Sequence, residues 1–134
     1  MTDARVEKVY VDRVRAREFL DQADQFLADA GITALSVESQ SVLLHNATVC
    51  ACDAILQAVG SRVTPGDRSH VLRLETALDQ LDGDTEELFE SLDASRERRN
   101  EASYEAAFVP QASVADAREA TAELLERARA LLSD

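Results

Sequence analysis

Between Ser39 and Gly60 the chain runs through Val42, Leu43, Leu44, Ala47, Val49, Ala51, Ala54, Ile55, Leu56 and Ala58 with little polar interruption. No other stretch constrains the fold as strongly. It contains no proline and reads as a helix from near Ser36 or Ser39 to Val59, with Gly60 as the natural C-terminal cap. A helix that is apolar nearly all round has to be covered on several sides, so it belongs at the centre. One line breaks the pattern: Asn46, Cys50, Asp53 and Gln57 step four, three, four along one edge. Buried polar groups need partners, and this line has to find them on a neighbouring helix.

The other segments supply the cover. A first helix begins near Val6 or Asp12 and ends at Ala30 before Gly31, with a stripe of Ala16, Leu20, Ala23, Leu27 and Ala30 widened by Phe19 and Phe26. Ser61 to Asp67 reads as a loop around Pro65-Gly66. A shorter helix follows from about Arg68 to Leu81, with Asp67 as its cap. A fourth starts after Asp82-Gly83-Asp84, capped by Thr85, with Glu86 and Glu87 well placed in its first turn. It breaks between Tyr104 and Pro110. Ser113 to Asp116 resembles a capping box opening a last helix, whose stripe is Val114, Ala117, Thr121, Leu124, Ala128 and Leu131. Four glycines, two prolines and six aromatics leave little material for a sheet. The expected fold is all-α: one domain over residues 1–134, an antiparallel bundle of four long helices plus one short helix, without strands.

No unbroken apolar run reaches the ~20 residues that span a bilayer, and no signal-peptide pattern opens the chain, so no membrane role and a cytoplasmic location are expected. Cys50 and Cys52 point to different sides of one helix and read as small core residues. No metal-ligand set is apparent, Asp82-Gly83-Asp84 being too short for a calcium loop, and no cofactor is implied. Acidic residues outnumber Lys plus Arg by 26 to 14, a net charge of −12. That balance argues against broad phosphate-backbone binding, although a narrow cationic cleft remains compatible with it.

Such a cleft has an obvious source. Arg96, Arg98 and Arg99 crowd four consecutive positions, followed by Asn100 and Tyr104. On a helix, Leu88, Phe89, Leu92, Arg96 and Arg99 share a stripe, so two of the arginines continue an inward face while Arg98 lies outside near Glu87 and Ser91. Inward arginines require anions or carbonyls. The sequence therefore predicts that Asp53 or Asn46 meets Arg96 or Arg99 across the bundle. His45, beside Asn46, reads as a packed histidine, and His70 as a surface or capping residue.

The run Arg96-Glu97-Arg98-Arg99-Asn100-Glu101-Ala102-Ser103-Tyr104 resembles the signature of HEPN domains, small helical bundles of prokaryotic toxin–antitoxin, abortive-infection and CRISPR-associated systems. The layout is similar as well, with His45-Asn46-Ala47 and Asp53-Ala54-Ile55-Leu56 on the central helix. The resemblance implies a homodimer whose two motifs line one cleft, and metal-independent ribonuclease chemistry in which Arg99 matches the motif arginine and Asn100 its polar neighbour. The motif's terminal histidine is Tyr104 here. A phenol with an ordinary pKa near ~10 is a poor general base at neutral pH, but it can still donate a hydrogen bond or stack. The reading is a HEPN-like module that binds RNA, a nucleotide or a protein partner through Arg99, Asn100 and Tyr104, with Arg96, Asn46 and Asp53 around them. An antitoxin or a nucleotidyltransferase is the partner the resemblance implies. One alternative is a working metal-independent ribonuclease of a toxin–antitoxin or defence system. Another is a structural bundle whose arginines and aspartates only pair internally.

Overall fold

The computed structural model describes residues 2–105 and 110–133, with side chains described outside 101–105. The chain is mainly helical. Strand β1 (Val6–Lys8) precedes α1 (Arg13–Ala30) and α2 (Val37–Val59), strand β2 (Ser61–Val63) follows, and α3 (Ser69–Leu78), α4 (Glu86–Glu105) and α5 (Gln111–Leu132) complete the order. The all-helical expectation holds except at one place. Val6–Lys8 and Ser61–Val63 form a two-stranded antiparallel ribbon, with Val6 opposite Val63 and Lys8 opposite Ser61. Both segments are short and alternate side to side, and Gly60 turns the chain between α2 and β2. The first helix therefore opens at Asp12, whose Oδ1 accepts the Arg15 N–H at 2.9 Å, and not at Val6.

Helix α2 is central, as its composition requires: α1, α3, α4 and α5 all pack against it. Toward α1 the contact is made of small residues. Ala16, Ala23 and Ala30 recur every seven positions on α1 and are fully buried, as are Ala47, Ala51 and Ala54 on α2. Alanine faces let two helices approach closely and put backbone dispersion contacts where side chains would otherwise intervene. The larger residues Ile55, Leu56, Leu74, Leu78, Leu88, Leu92, Leu124 and Leu125 fill the rest of the core. Helix α2 is also long and apolar enough to cross a membrane by length and composition, which counting unbroken apolar runs had missed. Here four helices cover it.

Ser36, one of the two expected starts, caps α2 through its hydroxyl, which accepts the Ser39 N–H at 3.1 Å. Other ends differ from expectation. Helix α3 is not capped by Asp67: Arg68 occupies the cap position in the left-handed region, with no side-chain cap, and the helix ends at Leu78, three residues early. On α4, Thr85 sits at the cap position, but the acceptor for the Glu86 N–H is the Asp84 carboxylate at 3.0 Å. Helix α5 begins at Gln111 after Pro110, so Ser113 lies inside its first turn and opens no capping box. The break expected between Tyr104 and Pro110 falls mostly outside the described residues.

Gly60 is the joint between helix and ribbon. Its φ of 72° is left-handed, and its N–H reaches back to the carbonyls of Gln57 and Leu56. A Cβ there would lie 2.7 Å from the Val9 carbonyl oxygen, which itself faces the chain just before α1. Gly60→Ala therefore combines backbone strain with a clash against main chain. It should cost about 2 kcal/mol or more, read as a lower midpoint in urea. A variant of wild-type stability would show that the joint tolerates a side chain.

Candidate functional site

Three helices build a narrow cleft, apolar over most of its wall with a few polar side chains set into it. From α2 come His45, Thr48, Val49 and Cys52; from α3, His70, Arg73 and Leu74; from α4, Leu92, Ser95 and Arg96. Each set repeats at three- and four-residue steps, so each is one ridge of its helix. The enclosed space is about 30 Å³, room for roughly one water. The site is therefore read at its mouth, where His70 is exposed. The two imidazoles lie with ring centroids 6.0 Å apart, tilted by 58°.

The expected pairing across the bundle does not occur. Asp53 pairs with Arg73 on α3, Nε to Oδ1 at 3.3 Å, and not with either arginine of α4. Arg96 turns to its own helix, where Nε and Nη2 donate to Asp93 Oδ1 at 3.1 and 3.0 Å, with Glu97 3.9 Å away. The inward face was read correctly and the partner was not. The edge of α2 that carries Asp53 looks toward α3, and Asp93 lies one turn from Arg96, where the pair forms without crossing the bundle. Asn46 is half-buried on α2 and makes no described contact with Arg96 or Arg99. Arg98 is exposed, on the groove with Glu87 and Ser91, as its position on the helix predicts.

Arg99 stands apart. It is half-buried, its Nη1 donates to Asn100 Oδ1 at 2.9 Å, and its Nε is buried without a hydrogen-bond partner. Among the described residues no carboxylate pairs with it. The Arg99–Asn100 bond joins two neighbours in sequence, while the Tyr104 side chain lies outside the described residues. Around the cleft three guanidiniums (Arg73, Arg96, Arg99) are grouped with Asp53 on Arg73 and with Asp93 and, at 3.9 Å, Glu97 on Arg96, inside a protein of net charge −12.

The histidines register that field. Burial, then the charges of Arg99, His70, Arg96 and Arg73, hold His45 down at about 4. His70 is lowered by the same kinds of cause, burial first and then Arg73, Arg96 and Arg99. Burial raises Asp53, with Arg73 pulling the other way. Cys52 is pushed up to about 12 by burial, in keeping with its reading as a core residue. The part played by His45, His70 and Arg73 is what sequence reasoning missed. The available signal was the i, i+3 spacing of His70 and Arg73, which sets an imidazole and a guanidinium on one face of α3. Among the described residues no cluster of three or more His, Cys, Asp or Glu could hold a metal ion.

A depressed histidine makes stability fall in acid. The folded form of His45 resists the proton that the unfolded chain accepts at its ordinary value of 6.5. Its contribution is therefore complete above that value and is lost as pH falls toward 4. Urea unfolding from pH 7 to 4.5 should lose about 2 kcal/mol through this group after allowance for solvent screening. His45→Gln should flatten that slope, and an unchanged slope would remove His45 from the account. No family model, no curated protein and no solved structure matches this chain, so the role of the cleft has to be argued from its own residues.

Proposed function

We propose that this protein is a HEPN-like module, its four long helices forming an antiparallel bundle, that binds a phosphate group of an RNA or nucleotide at the mouth of the α2–α3–α4 cleft. Arg99 carries the reading. Arg73 and Arg96 have carboxylates, whereas Arg99 has none among the described residues; its Nε, like those of Arg73 and Arg118, is buried without a hydrogen-bond partner, and its charge is felt by both imidazoles. Leaving a half-buried guanidinium without a counter-anion is costly, and a phosphate oxygen is the group that such a fork of N–H donors fits best. The small enclosed volume favours one phosphate seated at the mouth over a buried base. The acidic exterior repels long duplexes and leaves a short or loosely structured strand as the ligand.

The purely internal reading is supported by the Arg73–Asp53 and Arg96–Asp93 pairs, and it leaves Arg99 unexplained. The ribonuclease reading has one observation of its own, the His45–His70 pair. A neutral, buried His45 is a better proton acceptor at neutral pH than a tyrosine, and the more exposed His70 can gain a proton once an anion is bound.

Titration calorimetry with inorganic phosphate and with a short RNA oligonucleotide tests the binding. Arg99→Ala should weaken both at least tenfold, the loss expected for a charge-assisted contact. Affinity should rise as pH falls from 7.5 to 5.5, because bound phosphate favours protonated imidazole. Wild-type affinity in the Arg99 variant, or no binding by the native protein, would end the proposal. The second reading is checked on the same oligonucleotide: cleavage to a 2′,3′-cyclic phosphate end that is lost in both His45→Ala and His70→Ala supports it, and intact RNA removes it.

A further inference from the structure

The described residues expose seven large apolar side chains, and five of them, Val6, Val9, Tyr10, Val11 and Val14, fall within nine positions. Tyr10 is 96% exposed and Val14 70%. Phe19 and Phe26, which widen the apolar stripe of α1, are half-buried. Phe19 packs against the core and carries the Arg15 guanidinium 4.7 Å above its ring. Among the described residues most of the exposed large apolar side chains therefore lie on β1 and the segment that leads into α1, Ile32 and Val42 being the other two, and a concentration of exposed apolar side chains is a candidate contact surface.

The ribbon also has an open edge. The Arg5 carbonyl accepts the Thr64 N–H and the Val9 N–H donates to the Gly60 carbonyl, both at 2.9 Å. Backbone direction alternates along a strand, so the N–H and C=O groups of Val6 and Lys8 point away from β2. Among the described residues no strand covers that side. A two-stranded ribbon is marginal by itself and gains from further strands.

We infer that two copies of this chain pair through this edge, β1 against β1 in antiparallel register about Val6. The charge pattern selects a second copy as the occupant. In that register Val6 meets Val6, Arg5 lies opposite Glu7 of the second copy, and Glu7 opposite its Arg5, so that Arg5-Val6-Glu7 is complementary to itself across a two-fold axis. Glu7 already sits between Arg5 at 3.3 Å and Arg62 at 3.0 Å, which places both partners of the new pairs on one face of the ribbon. The surroundings permit the approach. Residues 2–15 hold three acidic and four basic side chains, whereas the whole chain carries −12. Elsewhere on so acidic a surface like charges oppose contact between copies; here they do not. Tyr10, Val11 and Val14 lie just beyond the strand and extend the contact.

Sedimentation and light scattering across a concentration series test the pairing. The native chain should form a dimer of twice 14.7 kDa. Val6→Pro removes one outward N–H and leaves Glu7 paired with Arg62, because the missing donor faces the open edge. It should raise the dimer dissociation constant at least tenfold with helical content unchanged. Arg5→Glu, at an exposed position, sets like charges opposite each other and should weaken the dimer too, which keeps the test valid if the proline variant fails to fold. A native monomer at high concentration overturns the inference. So does a dimer that both substitutions leave untouched, or a monomer that binds lipid vesicles through Tyr10 and Val14.

Discussion

The need to cover the apolar faces of α2 is the constraint to which the rest of the structure answers. A helix that apolar has to be wrapped, and four other helices do the wrapping. Its alanine face accepts α1 closely, and the larger residues meet α3, α4 and α5. Once those faces are filled, the polar line Asn46–Asp53–Gln57 has to emerge at an edge, since no partner in the core could satisfy it. Asp53 leaves that edge toward α3, which is why its cation is Arg73. The floor of the cleft is set by the same packing, because His45, Thr48 and Cys52 lie on the ridge of α2 that α3 and α4 straddle.

Legibility followed the length of the signal. Helices of eighteen or more residues show their stripes over several turns, and α1, α2, α4 and α5 were all readable from spacing. The ribbon was not, because three-residue strands show barely one full alternation and Val6 fits equally well as the first apolar residue of a helix. Gly60 and Ser36 cap α2 as their positions suggest, whereas other caps differ for a related reason. Asp67, Thr85 and Ser113 are all competent capping residues, and which competent residue is used depends on backbone direction set by tertiary packing. In the site, the arginine island and its inward face were legible on one helix. The meeting of His45 with His70 was not, since it depends on how α3 crosses α2, and nothing local in a ten-residue helix encodes that.

The electrostatics of the cleft join structure to function. Charged imidazoles in the field of Arg73, Arg96 and Arg99 would be unfavourable, and burial together with the arginines keeps His45 neutral. The cluster thus trades proton occupancy for cation density. On the proposed reading, an arriving anion would reverse the trade, screening the arginines from the imidazoles and letting protons return, so that phosphate affinity would depend on pH through the imidazoles as well as through the phosphate's own ionisation.

The position of the ribbon bears on how such a cleft would be used. HEPN-type pairing brings two motifs into one shared cleft, and this requires contact along the helices that carry them. Here the uncovered apolar surface and the open strand edge are joined to the C-terminal end of α2 through Gly60. His45 lies fourteen residues earlier on the same helix, about 20 Å away at 1.5 Å per residue. Two copies joined edge to edge would hold two separate clefts, each complete within its own chain. A strand bearing two suitably spaced phosphates could then bridge the pair, and its gain over a single-site ligand would come from effective concentration and not from any new contact.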